Sequence, residues 1–198
     1  GPAMPAAKTL YQGRTFDSSA PADLLRDAEF QDCTFQGCRW VALRVQNCSF
    51  LDCRFTRCQL SAVTFSFCLM RDARMDRCEF RNIAWGGLTG RSAVAQPFAS
   101  LEGCNFLYSD FSGLALAGFD FSRCQFRECV FDQCKLGGAS FRGVSLGRSG
   151  FTRCDLRKAD FRGAEGYAIA LADNQLKDAR FSFPEVVSLL EGTGIRIE

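Results

Sequence analysis

From Phe30 onward a large apolar residue returns at every fifth position: Phe30, Phe35, Trp40, Val45, Phe50, Phe55, Leu60, Phe65, Met70, Met75, Phe80 and Trp85. The series resumes one residue out of step at Leu101 and continues through Phe106, Phe111, Leu116, Phe121, Phe126, Phe131, Leu136, Phe141, Leu146, Phe151 and Leu156 to Phe161. It fades through Gly166, Leu171, Leu176 and Phe181. Two residues before the centres lies a slot for small residues, and all 12 Cys occupy it, alongside Ala28, Val63, Ala73, Ala139, Ala159 and Ala179. The other positions are mostly Arg, Asp, Gln, Ser, Thr and Gly. A period of five matches neither a helix at about 3.6 nor a strand at about 2. It does match a chain that turns a corner every fifth residue and points one small and one large side chain inward on each side. Four sides close a square, so one coil takes about twenty residues. Successive coils then stack at strand spacing, ~4.8 Å.

This series resembles the pentapeptide-repeat family. The resemblance implies an all-β, right-handed quadrilateral parallel β-helix of about eight coils, ~40 Å long at strand spacing, with a short C-terminal helix. Coils of such a solenoid bury their faces against their neighbours.

The cysteines fit this picture as small buried hydrophobes, because Ala and Val fill the same slot. No C-x-x-C spacing occurs, and a chain without His cannot build the usual mixed zinc sites. No metal and no cofactor are expected. Catalysis is not expected either: the acids are spread over outward positions, and no imidazole can serve as a near-neutral base. A β-helix hydrolase acting on a glycan is the weakest of the functional readings.

The 198 residues carry 24 basic and 22 acidic side chains, a net charge of +2. That balance gives no case for direct nucleic-acid or membrane binding. No run approaches the ~18 apolar residues of a membrane span. No basic-then-apolar secretory pattern opens the chain, and a cytoplasmic protein is expected. Gly1-Pro2 ahead of Met4 reads as a protease scar.

The chain divides into a tag remnant and N-terminal segment (1–15), a repeat region (16–183) interrupted at about 86–100, and a C-terminal helix and strand (184–198). The gap from Trp85 to Leu101 equals three pentapeptides plus one residue. It reads as a coil with a single-residue bulge; the alternative is a projecting loop. Counted with one bulge, Glu29, Asp32, Asp52, Asp72, Asp110, Asp132 and Asp173 share one acidic side against Arg71, Arg91 and Arg153. The next side collects Arg54, Arg57, Arg74, Arg77, Lys135, Arg157, Lys158 and Lys177. At the C-terminus, Pro184 and Glu185 suit a helix start and Gly192 a stop. Ile195 and Ile197 alternate with Arg196 and Glu198 as in a short strand. Phe183, Val186, Val187, Leu189, Leu190, Ile195 and Ile197 exceed what capping an open coil end requires, so a two-fold homodimer through this end is expected.

A short first block, a break after a Trp, a second block of about four coils and a Pro-led apolar tail occur together. That layout is similar to the topoisomerase-protecting branch of the family, which includes the quinolone-resistance proteins and the immunity proteins against microcin B17 and albicidin. The segment Ala179-Arg180-Phe181-Ser182-Phe183-Pro184-Glu185-Val186-Val187-Ser188-Leu189-Leu190, with Tyr167 before it, resembles the tail of the albicidin-resistance protein. The resemblance implies a dimeric rod that mimics duplex DNA. Such a rod binds DNA gyrase, and topoisomerase IV as a second partner, and shields the enzyme from a poison as a resistance or self-immunity factor. The alternative is a generic protein–protein interaction scaffold with no topoisomerase role.

Overall fold

The computed structural model describes residues 7–17, 23–88 and 96–198. They form a parallel β-solenoid of about seven turns, with partial turns before residue 23 and after residue 168. The chain enters the solenoid earlier than the repeat pattern alone indicates, because Thr9–Gln12 pairs in register with Ala28–Gln31.

Each turn has four sides, and each side stacks one large inward residue per turn beside one small one. Side 1 carries Val45, Phe65, Trp85, Phe111, Phe131 and Phe151. Side 2 carries Phe30, Phe50 and Met70, then Leu116, Leu136 and Leu156. Side 3 runs from Phe16 through Phe35, Phe55, Met75 and Leu101 to Phe121, Phe141, Phe161 and Phe181. Side 4 carries Trp40, Leu60, Phe80, Phe106 and Phe126. Rings one turn apart lie nearly parallel, with centroids 4.6 Å apart for Phe131–Phe151 and 4.7 Å for Phe121–Phe141. Rings on adjacent sides meet edge to face, as Phe80 and Trp85 do at 80°, and so do rings facing each other across the core, as Phe141 and Phe151 do at 86°. Both arrangements suit the aromatic quadrupole and add about 0.5–1.5 kcal/mol per pair beyond buried area.

All twelve thiols are buried and unbridged. Sγ of Cys53 lies 3.3 Å from the Phe30 carbonyl of the preceding turn, and Sγ of Cys58 lies 3.2 Å from that of Phe35. The thiols thus donate weakly to backbone carbonyls of the neighbouring turn. Burial pushes the Cys48 thiol up to about 11 and that of Cys53 up to about 12, so both stay protonated and unreactive at neutral pH. In the last turns Asn174 takes the small slot, and its amide accepts from Cys154 N–H and donates to the Phe151 carbonyl.

The register across the interruption corrects the single-bulge count. Within the first block partners are twenty residues apart, as in Glu79↔Gln59; across the interruption Glu79 pairs with Asn105. Asp52 N–H donates to Arg71 O, whereas Asp72 N–H donates to Gln96 O, five residues further on than the regular spacing. Ala73↔Phe98 is followed by Arg74↔Ser100, so a one-residue bulge at Ala99 adds a sixth. The sixteen-residue gap is therefore two sides, a five-residue excess between the Trp85–Leu88 3-10 turn and Gln96, and one bulge. Residues 89–95, and with them Arg91, lie outside the described residues. Since five residues make one side, everything beyond the interruption sits a quarter turn away from where the sequence count puts it.

The tail carries a short helix where one is expected, Glu185–Leu190, and it is of the 3-10 type. No strand follows, because Gly192 and Gly194 take left-handed φ of 84° and 82° and break extension.

Candidate interaction surfaces

Asp32, Asp52 and Asp72 occupy the corner between sides 2 and 3 in consecutive turns, each with φ near 50–55°. Their amides donate to the turn above, which fixes the backbone and projects the carboxylates as a row at strand spacing, ~4.8 Å. None of the three makes an ion pair with a described residue. The groove beside them is also lined by Arg54, Arg74 and Ala99, so the acidic row has a cationic flank. Glu29 lies one side-chain position away on side 2, where it accepts from Gln31 Nε2 at 2.9 Å.

The other acids assigned to this row are elsewhere. Asp110 and Asp132 sit on side 1, where Asp110 bridges Ala84 and Val130, and Asp132 pairs with Thr152. Asp173 lies at the corner of sides 1 and 2, next above Arg153. The quarter-turn shift separates them from Asp72; the same corner is held beyond the interruption by Gly118, Gly138, Lys158 and Asp178. Two of these acids, Asp110 and Asp132, are also engaged locally. Asp110 accepts from the amide and hydroxyl of Ser112. Arg153 grips Asp132 through Nε at 3.0 Å and Nη2 at 2.6 Å, and with Thr152 it holds that carboxyl below the usual Asp range. Continuity of the acidic side was not recoverable by counting, since the five-residue excess leaves no signature in the apolar series.

The same shift redraws the basic side. Lys135, Arg157, Lys158 and Lys177 belong to side 2, where Lys135 bridges Ala115 and Asp155. Arg54, Arg57, Arg74 and Arg77 remain on side 3. There they are joined by Arg123, Arg142, Arg162 and Arg180, four residues that the sequence count had not assigned to this side.

At the C-terminal end, Leu189 packs against the core together with Leu176 and Phe181. The Tyr167 ring lies edge-on to Phe161 and Phe181 at 5.8 and 5.6 Å. Val186 and Val187 are half-buried, whereas Phe183, Leu190, Ile195 and Ile197 are exposed, Phe183 to 84%. The end is thus part cap and part apolar surface.

A family model described as a pentapeptide repeat region matches residues 22–91 and 99–181, the two blocks on either side of the interruption. The chain belongs to the pentapeptide-repeat family. No curated protein sequence matches it. Among solved structures it is similar to trypsin-treated QnrB1, a plasmid-mediated fluoroquinolone resistance protein, at 18% identity over 97% of this chain and 99% of that one, TM-score 0.49. It is also similar to HetL, a pentapeptide-repeat protein involved in heterocyst differentiation regulation from the cyanobacterium Nostoc sp., at 15% identity over 88% and 85% of the two chains, TM-score 0.39. Rfr23 from the cyanobacterium Cyanothece matches at 12% identity over 63% of this chain and 88% of that one, TM-score 0.34. No helix of the described residues is long and apolar enough to cross a membrane.

Proposed function

We propose that this protein is a non-catalytic rod that binds DNA gyrase, with topoisomerase IV as a second target, and protects it from a topoisomerase poison as a resistance or self-immunity factor. The observation that carries the reading is the row of Asp32, Asp52 and Asp72, unpaired among the described residues and repeated at the pitch of the coils. A regular line of carboxylates on a rod can meet Lys and Arg that otherwise hold phosphates. Support also comes from the Ala179–Leu190 segment, whose resemblance to the albicidin-resistance tail is accompanied by an apolar end suited to a tail-to-tail dimer. Two rods joined in that way reach ~80 Å at strand spacing.

The test is gyrase supercoiling in the presence of a quinolone or an albicidin-like poison. Wild-type protein restores supercoiling; Asp32→Lys, Asp52→Lys, Asp72→Lys in one chain folds and restores none. Asp132→Asn keeps protection, because that carboxylate is a quarter turn away and held by Arg153. Protection by the folded triple variant overturns the reading. A second reading, an interaction scaffold with no topoisomerase role, is favoured by the arginines of side 3 and predicts no effect on supercoiling at any concentration. The dimer is tested separately, by sedimentation of wild type against Phe183→Asp, Ile195→Asp; equal mass for both removes it.

A further inference from the structure

Side 3 is a strip of parallel strand segments up to Glu102 and of isolated parallel bridges beyond it, and its outward positions, from Arg54 to Arg180, carry eight arginines: Arg54, Arg57, Arg74, Arg77, Arg123, Arg142, Arg162 and Arg180. Four acids share it. Asp76 pairs with Arg77 at 3.0 Å, Glu102 with Arg123 at 2.8 Å and Asp160 with Arg162 at 2.8 Å, while Asp120 accepts from the Ser122 amide. The strip therefore holds an excess of positive charge on a chain whose net charge is only +2. Arg54, Arg57, Arg74, Arg142 and Arg180 are exposed and make no ion pair with a described residue. Of the three pairs that do form, Arg77–Asp76 and Arg123–Glu102 are exposed on both partners, a class worth about 0–1 kcal/mol that a multivalent anion can displace, whereas Arg162–Asp160 is half-buried.

We infer that side 3 binds the phosphate backbone of duplex DNA. Six turns separate the levels of Arg54 and Arg180, which places the free guanidiniums along ~29 Å at strand spacing. That span is close to the ~34 Å of one duplex turn. Over it a duplex presents about one charge per 1.7 Å, a density and regularity that an acidic protein surface rarely sustains in a straight line. Every basic group on the strip is Arg, whose planar fork takes two phosphate oxygens at once and sheds water more readily than an ammonium. Asp52 and Asp72 border Arg54 and Arg74 across their groove. The duplex is thus held towards the opposite edge, where Arg57, Arg77 and Arg123 share a corner. The expectation of no nucleic-acid contact rested on net charge, which the segregation of charge by side makes uninformative. This inference does not depend on the gyrase reading, and either can fail alone.

Fluorescence anisotropy of an end-labelled 24-base-pair duplex, titrated with the full chain without gyrase, tests it. With five phosphate contacts, affinity falls roughly 500-fold between 50 and 200 mM salt. Arg142→Gln, Arg180→Gln lowers the log–log salt slope by roughly two and weakens binding at least tenfold at 50 mM salt. Lys135→Gln, Lys177→Gln, on side 2, changes neither. Melting curves like that of wild type establish that the variants are folded. Absence of binding at 50 mM salt overturns the inference. So does equal weakening by the side 2 pair, or displacement of the duplex by poly-glutamate at equal charge concentration, which assigns the strip to an acidic protein instead.

Discussion

Asp52 and Gly138 hold the same corner, between sides 2 and 3, on opposite sides of the interruption. Asp52 turns with φ 54°, and its neighbours bond only to the turns above and below; no described bond runs from Cys53 N–H back to Phe50 O. Gly138 turns with φ 69°, and Ala139 N–H closes onto Leu136 O at 3.0 Å. That is the signature of a type II turn, in which glycine meets the left-handed requirement without strain. The contrast recurs at the corner of sides 3 and 4, where Arg57 and Arg77 take φ of 51–52° in the first block and Gly143 and Gly163 take 72° in the second; at the corner of sides 4 and 1 both blocks keep non-glycine residues, Ala62 at 53° and Glu128 at 48°. A non-glycine residue in this region costs roughly 1–2 kcal/mol, less for Asp and Asn. The first block accepts that cost at many corners, and what it gains is side chains at the edges of the rod. Such strain concentrates where a surface is used, and the Asp32, Asp52 and Asp72 row is built in this way.

Four measurements sharpen or break the comparison. Phe131→Ala, which removes a ring stacked on both Phe111 and Phe151, should cost about 3–5 kcal/mol in denaturant unfolding. Phe16→Ala, at the partly buried first turn, should cost clearly less; equal losses would mean that the turns do not contribute separately. Gly147→Ala comes next. Its φ is 43°, and an added Cβ meets Phe126 O at 2.7 Å and Arg127 Cα at 3.0 Å, so the loss should exceed that of Gly118→Ala. At Gly118 the added Cβ meets nothing within 4 Å and only the φ of 69° matters, which sets the expected loss at about 1–2 kcal/mol.

Phe67→Gly should act in the opposite sense. The ring is 90% exposed at φ 52°, so relief of the left-handed strain stabilises by up to about 1 kcal/mol, offset by the entropy of glycine. A melting temperature below that of wild type would show that the corner is not strained. The smallest effect is one of pH. Arg157 and Arg162 hold Asp155 and Asp160 below the usual Asp range by hydrogen bonding to them. Stability from these pairs is full above the unfolded value near 4 and is lost as pH falls through the lower folded value. Asp155→Asn and Asp160→Asn should each lower stability at pH 6 by less than about 1 kcal/mol, and the difference from wild type should vanish by pH 2.

The fold was legible because the inward series is redundant. Phe, Leu, Met and Trp recur so often that losing a position, as at Gly166, does not hide the period. The small slot was equally clear from Cys alternating with Ala. Sidedness was not legible, because it depends on the length of one irregular segment. Counting from Trp85 to Leu101 gives three sides and a bulge or two sides and six residues with equal ease. Only the pairing of Glu79 with Asn105 decides between them. The tail strand failed for a simpler reason: Gly192 and Gly194 flank Thr193, and left-handed backbone on both sides of one residue overrides the alternation of Ile195 and Ile197.

The five-residue excess after Leu88 has a consequence for how such a molecule can change. Adding or removing five residues anywhere along the coil acts as an angular step: it rotates all that follows by ninety degrees and leaves each hydrophobic contact replaceable by an equivalent one. Removing twenty shortens the axis by one layer and preserves the bearing of every surviving group. Azimuth and length are therefore independent coordinates of this architecture, and a single short insertion can re-aim half of the surface while leaving the interior almost untouched.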